Sequence, residues 1–198
     1  MNNDQFKSSK MITEIWYENG YLIPYFKQFK RHLKANARVL ELGCNIGFNA
    51  KNLAELGCNV VGVDSSKELI DIAISKNPNI KFLVDDMRND LSYLGVFDGI
   101  LIMGSLSHIK IKELPLVLNN IYNLLEDDGY IFFITRNNLN LENDDNVSDL
   151  YEKFHNREVF AHQREILDLE MQNKFVFIEE LQGDDNWNFL IYKKNTIK

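Results

Sequence analysis

Chemistry is most readily expected of the stretch from Val39 to Phe48, which reads VLELGCNIGF. An apolar run leads there into glycines that open a helix, the arrangement with which parallel α/β proteins hold nucleotides. A dinucleotide fingerprint needs glycine at positions 43, 45 and 48, whereas this chain has Gly43, Asn45 and Gly47, with Phe48 at the last position. The missing glycines are those that let a turn approach a diphosphate closely. The spacing therefore weakens a pyrophosphate interpretation and leaves open a ligand without phosphates.

A second candidate is Asp64, which lies 21 residues beyond Gly43 at the end of another apolar run. An acidic side chain at that place can accept hydrogen bonds from both hydroxyls of an adenosine ribose. The alternative is an aspartate that only caps the next helix, since Ser65 and Ser66 follow it. We favour the nucleoside interpretation.

The third candidate is the stretch Val84-Asp85-Asp86-Met87, directly after a further apolar run. A carboxylate there can accept a hydrogen bond from an adenine amino group while Met87 packs on the ring. Alone this signal is weak, because an acidic loop at a strand end is usually just solvated. Three such signals after three successive strands are harder to attribute to chance, because ligands of open α/β sheets bind at the carboxyl ends of strands.

These candidates need a sheet to position them, and the chain alternates short apolar runs with helical segments from Arg38 onward. We predict strands at 38–42, 59–63, 80–84, 97–103 and 130–135, rich in residues that suit strands covered on both faces, and helices at 48–56, 68–75 and about 114–125. Gly57 is predicted to end the first of these helices, and Ser65 to Glu68 form a candidate capping box for the second. Pro115 is tolerable in the first turn of the third helix.

The two ends of the chain follow different patterns. Apolar spacing before residue 38 predicts two short helices interrupted by Gly20 and Pro24. After Thr135 the chain is polar and acidic to residue 146, and two apolar runs at 175–181 and 187–192 follow later. Their short connection predicts an antiparallel hairpin and is too short for a parallel crossover. The predicted fold is therefore a doubly wound, Rossmann-like α/β sheet of seven strands, mostly parallel with an antiparallel last strand.

Composition limits the class of partner and the location. A net charge of −7 and a pI near 5.1 make nucleic acid an improbable partner, because its binding relies on clustered Lys and Arg. The basic run Lys27–Arg38 is interpreted as a solvated helix face. No signal peptide and no apolar run long enough to cross a membrane are seen, which predicts a cytoplasmic protein. Cys44 and Cys58 are predicted to be free and buried, with no metal site.

With these motifs in place, the sequence resembles the class I S-adenosylmethionine (SAM)-dependent methyltransferases over roughly Arg38 to Arg136. VLELGCNIGF is similar to the family's first motif, with Asn45 in place of its middle glycine, a change that the turn tolerates because Asn accepts left-handed conformations. VVGVDSS resembles the second motif, LVDDMRN the adenine loop, and LLEDDGYIFF the fifth strand with its preceding turn. The antiparallel strand predicted at 187–192 also matches the family's sheet.

The resemblance implies roles for the matching residues toward SAM or its product S-adenosylhomocysteine (SAH). Glu41, Gly43, Asn45 and Gly47 would face the methionine portion, Asp64 with Ser65 beside it the ribose, Asp86 the adenine amino group, Met87 the adenine ring, and the backbone at Met103 and Gly104 the methionine amino group. Tyr17 is a candidate cap over the cofactor, with core packing as its equal alternative.

The methyl group on a sulfonium is electrophilic, so an enzyme of this kind chiefly aligns a nucleophile and excludes water. A hydroxyl nucleophile must also lose a proton, and neutral imidazole suits that task near pH 7. We propose His108, just past the fourth strand, as the general base; a histidine that shapes the pocket or starts a helix is the alternative. For Tyr151, His155 and His162 the structural interpretation is favoured over contact with a substrate.

Two hypotheses from different classes follow for the whole chain 1–198, taken as a single domain with a helical cap at 1–36 and a substrate-side insertion at 137–173. The first is methyl transfer to a small-molecule acceptor through an oxygen or nitrogen nucleophile, with specificity set by the cap and the insertion. The second is a sensor or assembly subunit that binds SAM or SAH without catalysis. An NAD-dependent oxidoreductase is a poorer third. The acceptor, and whether the protein is a monomer or homodimer, stay open.

Overall fold

The computed structural model describes residues 20–136, 171–183 and 187–196. Within these ranges the chain forms one sheet with helices between its strands. The strands are β1 (Arg38–Leu42), β2 (Asn59–Asp64), β3 (Lys81–Val84), β4 (Phe97–Met103), β5 (Leu125–Arg136), β6 (Phe175–Leu181) and β7 (Trp187–Lys194). The α-helices are α1 (Ile23–Arg31), α2 (Phe48–Glu55), α3 (Lys67–Lys76) and α4 (Leu114–Leu124), and short 3-10 helices occupy Ser92–Leu94, Ser105–His108 and Ile111–Glu113.

The sheet has the strand order β3-β2-β1-β4-β5-β7-β6. All pairs from β3 to β5 are parallel, and β7 is antiparallel to both β5 and β6. This confirms the predicted α/β fold with its antiparallel last strand. The strand order reverses at β1, whose neighbours are β2 on one side and β4 on the other, and a crevice opens at the carboxyl ends of strands at such a point.

The core lies in two clusters. One gathers buried residues of α1, α2 and α3, such as Phe29, Leu53 and Ile70, while the other contains those of α4, such as Val117 and Ile121. Apolar side chains of the central strands enter both clusters, with Val39 in the first and Leu40 in the second. The strands are therefore covered on both faces, which explains why their sequences are continuously apolar.

Helix ends follow the predicted signals with two differences. Pro24 does not interrupt a helix but lies in the first turn of α1, where its missing N–H needs no acceptor. Helix α3 begins at Lys67, one residue before the predicted start, and its N-cap is Ser66 rather than Ser65, the Ser66 side chain accepting from the Leu69 N–H. Gly57 follows α2 with φ of +83°, as a left-handed helix end should. The more N-terminal of the two helices predicted before β1 lies outside the described residues.

The cysteines and the charged residues of α1 complete the description of the fold. Cys44 and Cys58 are free and buried, as predicted. Lys27 and Arg31 of the basic run are exposed on α1. The part of the chain that the structure describes contains no helix long and apolar enough to cross a membrane. Within the same residues, no group of three or more His, Cys, Asp or Glu side chains is placed to hold a metal ion.

Candidate functional site

The turn between β1 and α2 is the centre of the site. Gly43, Asn45 and Gly47 have φ of +76°, +50° and +81°, so all three adopt the left-handed backbone that glycine and asparagine tolerate best. A Cβ added at Gly43 would lie 2.4 Å from the Ser105 Cβ, and one at Gly47 would lie 2.7 Å from Phe82 Cζ. Glycine is needed at both places for space as well as for conformation.

Backbone and side-chain bonds to β2 hold this turn at the carboxyl end of the sheet. The N–H groups of Gly43 and Cys44 both donate to the Val63 carbonyl, at 2.8 and 3.0 Å. The Asn45 N–H donates to Asp64 Oδ2 at 2.9 Å, and the Asn45 side chain accepts from the Ile46 N–H at 2.8 Å. The turn is thus fixed before any ligand arrives.

Asp64 connects the turn to the start of α3. Its Oδ1 accepts from the Ser66 N–H at 2.9 Å while Oδ2 accepts from Asn45. The aspartate therefore does support the next helix, as the structural alternative held. These two contacts fix the direction in which the carboxylate faces. Ser65 beside it is exposed.

The loop after β3 presents the third carboxylate. Asp86 is half-buried and accepts from Arg88, at 2.9 Å from Nε and 2.6 Å from Nη2, so the guanidinium fixes the carboxylate plane. Met87 is half-buried and packs against the core cluster that contains α4. From α4, Asn120 Nδ2 donates to the carbonyls of Met87 at 3.2 Å and Asn89 at 3.0 Å. Helix α4 therefore sets the position of this loop.

Tyr93 and Asp85 link the loop after β3 to the 3-10 helix that follows it. The Tyr93 hydroxyl donates to Asp85 Oδ2 at 2.7 Å, and the Asn89 amide donates to Asp85 Oδ1 at 2.8 Å. The bond to Asp85 raises the pKa of Tyr93 to about 12, so the phenol stays protonated and keeps donating at neutral pH. Asp85 therefore stabilises the loop itself, unlike its neighbour Asp86.

Beneath the glycine turn lies a buried carboxyl group. The Glu41 side chain is 1% exposed, and its Oε1 accepts from Asn49 Nδ2 at 2.8 Å. The same amide lies 3.5 Å from the Met103 sulfur at the end of β4. Burial raises the pKa of the Glu41 carboxyl to about 8, against the opposing effects of the Asn49 amide and the Ala50 backbone N–H. The Asn49 amide thus contacts both Glu41 and Met103 near the carboxyl ends of β1 and β4.

The segment after β4 closes the far side of the crevice. The Gly104 N–H donates to the Ile134 carbonyl at 2.8 Å, and Ser105 Oγ donates to the Leu42 carbonyl at 2.8 Å, which ties this segment to both neighbouring strands. The 3-10 helix that follows ends at His108, which is half-buried with its Nδ1 atom fully buried.

The structure brings most of the sequence-selected residues to the carboxyl ends of β1 to β4. Those it places there are Glu41, Gly43, Asn45, Gly47, Asp64, Ser65, Asp86, Met87, Met103, Gly104 and His108. Tyr17, Tyr151, His155 and His162 lie outside the described residues. Sequence reasoning missed Asn49, Ser105, Arg88 and Asn120, which position the selected residues. Arg88 could have been found from its place directly after Asp86 and Met87; the other three carry no local signal.

The chain is similar to known methyltransferases over much of its length. A family model described as "Methyltransferase domain" matches residues 17–174. A putative methyltransferase of Bacillus subtilis, YqeM, is 31% identical over 112 residues, which are 54% of this chain and 45% of that protein. A magnesium-protoporphyrin O-methyltransferase of Rhodobacter capsulatus is 36% identical over 89 residues, 42% of this chain and 39% of its own. The chain thus spans less than half the length of these two relatives.

A solved structure extends the likeness to the fold. The magnesium protoporphyrin IX methyltransferase ChlM of Synechocystis PCC 6803, solved with bound SAH, superposes with a TM-score of 0.70. The match covers 96% of this chain and 86% of that one at 14% identity, so it shows a shared fold alone.

Proposed function

Because the chain belongs to the class I SAM-dependent methyltransferases, we propose that it transfers the methyl group of SAM to an oxygen or nitrogen atom of a small-molecule acceptor and releases SAH. The observation that carries the proposal is the arrangement of Asp64. One carboxylate ties the glycine turn to the start of α3, at the strand end where a ribose would lie. A carboxylate at that place can accept from two vicinal hydroxyls of a ribose.

The proposed cofactor site has two ends. The methionine end comprises Glu41, the turn from Gly43 to Gly47, Asn49 and Met103, with the backbone of Gly104. The adenine end comprises the loop from Asp85 to Asn89 with Asn120 behind it. Asp86 would accept from the adenine amino group with the carboxylate plane that Arg88 sets, and half-buried Met87 would pack on the ring.

The chemistry asked of the protein is mainly alignment. SAM supplies an activated methyl group, and the site holds the methyl donor in a fixed direction and keeps water away from it. We assign to His108 the removal of a proton from an acceptor hydroxyl. The 3-10 helix that carries His108 is tied to β1 through Ser105, which supports a fixed distance between imidazole and cofactor.

The class of acceptor is inferred from composition and relatives. The net charge of −7 favours an acceptor other than nucleic acid. The relative from Rhodobacter capsulatus is named as an O-methyltransferase, which supports an oxygen acceptor for this chain. We further propose that the residues before β1 and the segment 137–173 select the acceptor.

The test is methyl transfer itself. Purified protein is incubated with SAM and a panel of small phenols, carboxylic acids and amines, and SAH formation is measured. We expect turnover with at least one hydroxyl or carboxyl compound, lost in Asp64→Ala and kept in Asp71→Ala, a matched change at an exposed acid on α3. His108→Ala should lower kcat about 100-fold for a hydroxyl acceptor with little change in SAM affinity.

Two results would overturn parts of this proposal. Tight binding of SAM and SAH without turnover of any acceptor in the panel would favour the sensor or assembly-subunit alternative. Turnover that persists at normal rate in His108→Ala would leave the methyltransferase proposal standing and remove the general base from it.

A further inference from the structure

Arg88 contacts two separate segments of the candidate site. Its Nε and Nη2 donate to Asp86 at 2.9 and 2.6 Å, and its Nη1 lies 3.7 Å from Glu113 Oε1. Asp86 belongs to the adenine end, whereas Glu113 is the last residue of the 3-10 helix Ile111–Glu113, which follows His108 in the chain. One guanidinium thus joins a carboxylate assigned to the cofactor to the segment that carries the proposed general base.

Glu113 also forms hydrogen bonds within its own segment. Its Oε2 accepts from the Lys110 N–H at 3.3 Å, and the Glu113 N–H donates to the Lys110 carbonyl at 2.8 Å. These bonds close a turn that starts two residues after His108. Ile109, between His108 and Lys110, is buried, and its N–H donates to the Leu106 carbonyl at 2.9 Å. His108 is therefore held in a continuous series of hydrogen-bonded turns whose far end is Glu113.

Asp86, Arg88 and Glu113 form a small charge network rather than a single ion pair. The hydrogen bond to Asp86, with the charges of Asp86 and Glu113, raises the pKa of Arg88, so the guanidinium stays charged. The side chains of Arg88 and Glu113 are 45% and 29% exposed, so the network adds little to stability. A guanidinium bound through two nitrogens to one carboxylate and facing a second nevertheless has a fixed direction. Its effect is therefore on position.

A second connection between the same two segments runs through α4. This helix begins directly after Glu113, and its Asn120 donates to the carbonyls of Met87 and Asn89 in the adenine loop. The connection through Asn120 consists of hydrogen bonds from a neutral amide, whereas the connection through Arg88 is ionic and partly exposed to solvent. Salt and the neutralisation of Glu113 should therefore weaken the ionic connection and spare the other.

We propose that Glu113 is a positioning residue that couples the adenine end of the site to His108. The inference rests on the proposed function, in which the adenine amino group of the cofactor donates to Asp86. That carboxylate then shares its oxygens between the ligand and Arg88, so its hold on the guanidinium weakens. The guanidinium moves from 3.7 Å to hydrogen-bonding distance of Glu113, and the turn that Glu113 closes moves with it. A bound adenine thereby sets the direction of the imidazole.

The test is NMR of the full chain, labelled in its histidines and titrated with adenosine, which lacks the methionine portion of the cofactor. The chain has four histidines, and the His108 signals are identified by their absence from His108→Ala. We expect these signals to shift on adenosine binding in the wild type and in Glu55→Gln, and to stay in place in Glu113→Gln. Glu55 is the matched control because it also forms a 3.7 Å ion pair, with Lys51, in α2.

Affinity and its dependence on salt give a second readout. Glu113→Gln should bind adenosine about threefold more weakly, because the guanidinium gains no new partner when the ligand engages Asp86. Adenosine is uncharged, so added salt acts on the ion pairs of the protein alone. In about 0.5 M salt the wild type should bind adenosine as the variant does, and its His108 shift should shrink. This series needs no variant with an altered network, so it decides the matter even if Glu113→Gln does not fold.

Each contrary outcome decides a separate point. A His108 shift that persists in Glu113→Gln would overturn the role of Glu113 and assign the coupling to α4 and Asn120. If SAH binds to the wild type but adenosine leaves the His108 signals in place, the coupling is refuted while the proposed function stands. If neither SAH nor adenosine binds, the proposed function fails, and the inference fails with it.

Discussion

The two ends of the candidate cofactor site each present a carboxyl group at the end of a strand, but they hold it in opposite ways. Glu41 at the methionine end is 1% exposed and accepts one side-chain hydrogen bond, from an uncharged amide. Asp86 at the adenine end is half-buried and is held by the guanidinium of Arg88 through both oxygens. The same chemical group is thus buried against an uncharged amide in one place and oriented by a guanidinium in the other.

The difference follows from what surrounds each strand end. β1 is central in the sheet, so a side chain at its end is covered by β2, β4 and α2. β3 is an edge strand, and the loop after it meets solvent, where an ion pair contributes little to stability but sets direction. The adenine end therefore depends on geometry, whereas the methionine end also depends on the ionisation of Glu41.

Removing the ionisable group at the methionine end should change stability most. The pKa of Glu41 is raised from 4.5 to about 8 in the folded protein, so the folded state keeps a proton that the unfolded chain loses. Cofactor-free stability should therefore fall as pH rises from 4.5 to 8, and Glu41→Gln should remove this fall. At pH 8 the variant should be more stable than the wild type by several kcal/mol, measured by urea unfolding.

Asp86→Asn is the matched change at the adenine end. It should cost about 0–1 kcal/mol and leave the pH dependence of the wild type in place, since its partner Arg88 is largely exposed. Equal slopes of stability against pH in the wild type and Glu41→Gln would contradict the contrast between the two ends.

The second effect concerns space at the methionine end. Gly43→Ala forces a side chain into a left-handed position 2.4 Å from the Ser105 Cβ, and overpacking of this kind costs about 1–3 kcal/mol beyond the backbone strain. We expect SAH affinity to fall about 100-fold. Gly57→Ala has the same backbone strain, with φ of +83°, but no atom within 4 Å of the new Cβ.

Gly57→Ala should therefore lower the Tm without changing SAH affinity more than about twofold. Calorimetry and thermal unfolding of both variants separate strain from crowding. Similar losses of affinity in the two would show that the contact with Ser105 does not matter.

The smallest effect tests the geometric control of the adenine end. Asn120→Ala removes two hydrogen bonds, at 3.2 and 3.0 Å, from the loop that carries Asp86 and Met87. We expect SAM and SAH to bind about fivefold more weakly, equally at pH 7 and pH 9, because no proton is coupled at this end. Asn119→Ala, an exposed neighbour on α4, should have no effect. A loss of affinity that depends on pH would show that a proton is coupled to binding at the adenine end as well, which contradicts the difference between the two ends.

Most of the fold could be predicted because its signals are local. Strands β1, β4 and β6 have the predicted bounds, since apolar runs end where the backbone leaves the sheet. β5 extends back to Leu125, five residues before the prediction. The first part of β5 was missed because it contains the exposed acidic residues Glu126, Asp127 and Asp128, and such residues are more typical of a turn than of a strand.

The site was predictable where a residue acts through its own backbone or its place at a strand end, as Gly43 and Asp64 do. The N-cap of α3 was predicted one residue too early. The Ser66 N–H donates to the Asp64 carboxylate, and this contact places the Ser66 hydroxyl where it accepts from the Leu69 N–H. Ser105 and Asn120 depend on contacts 63 and 31 to 33 residues away along the chain, and spacing in sequence contains no sign of them.

The most direct test of the central claim is calorimetric titration of the wild-type protein with SAH and, separately, with NADH at pH 7. We expect one SAH per chain at low micromolar affinity or tighter, and no measurable binding of NADH, whose diphosphate this glycine turn does not suit. Binding of NADH without binding of SAH would contradict the assignment of the turn, of Asp64 and of both ends of the site.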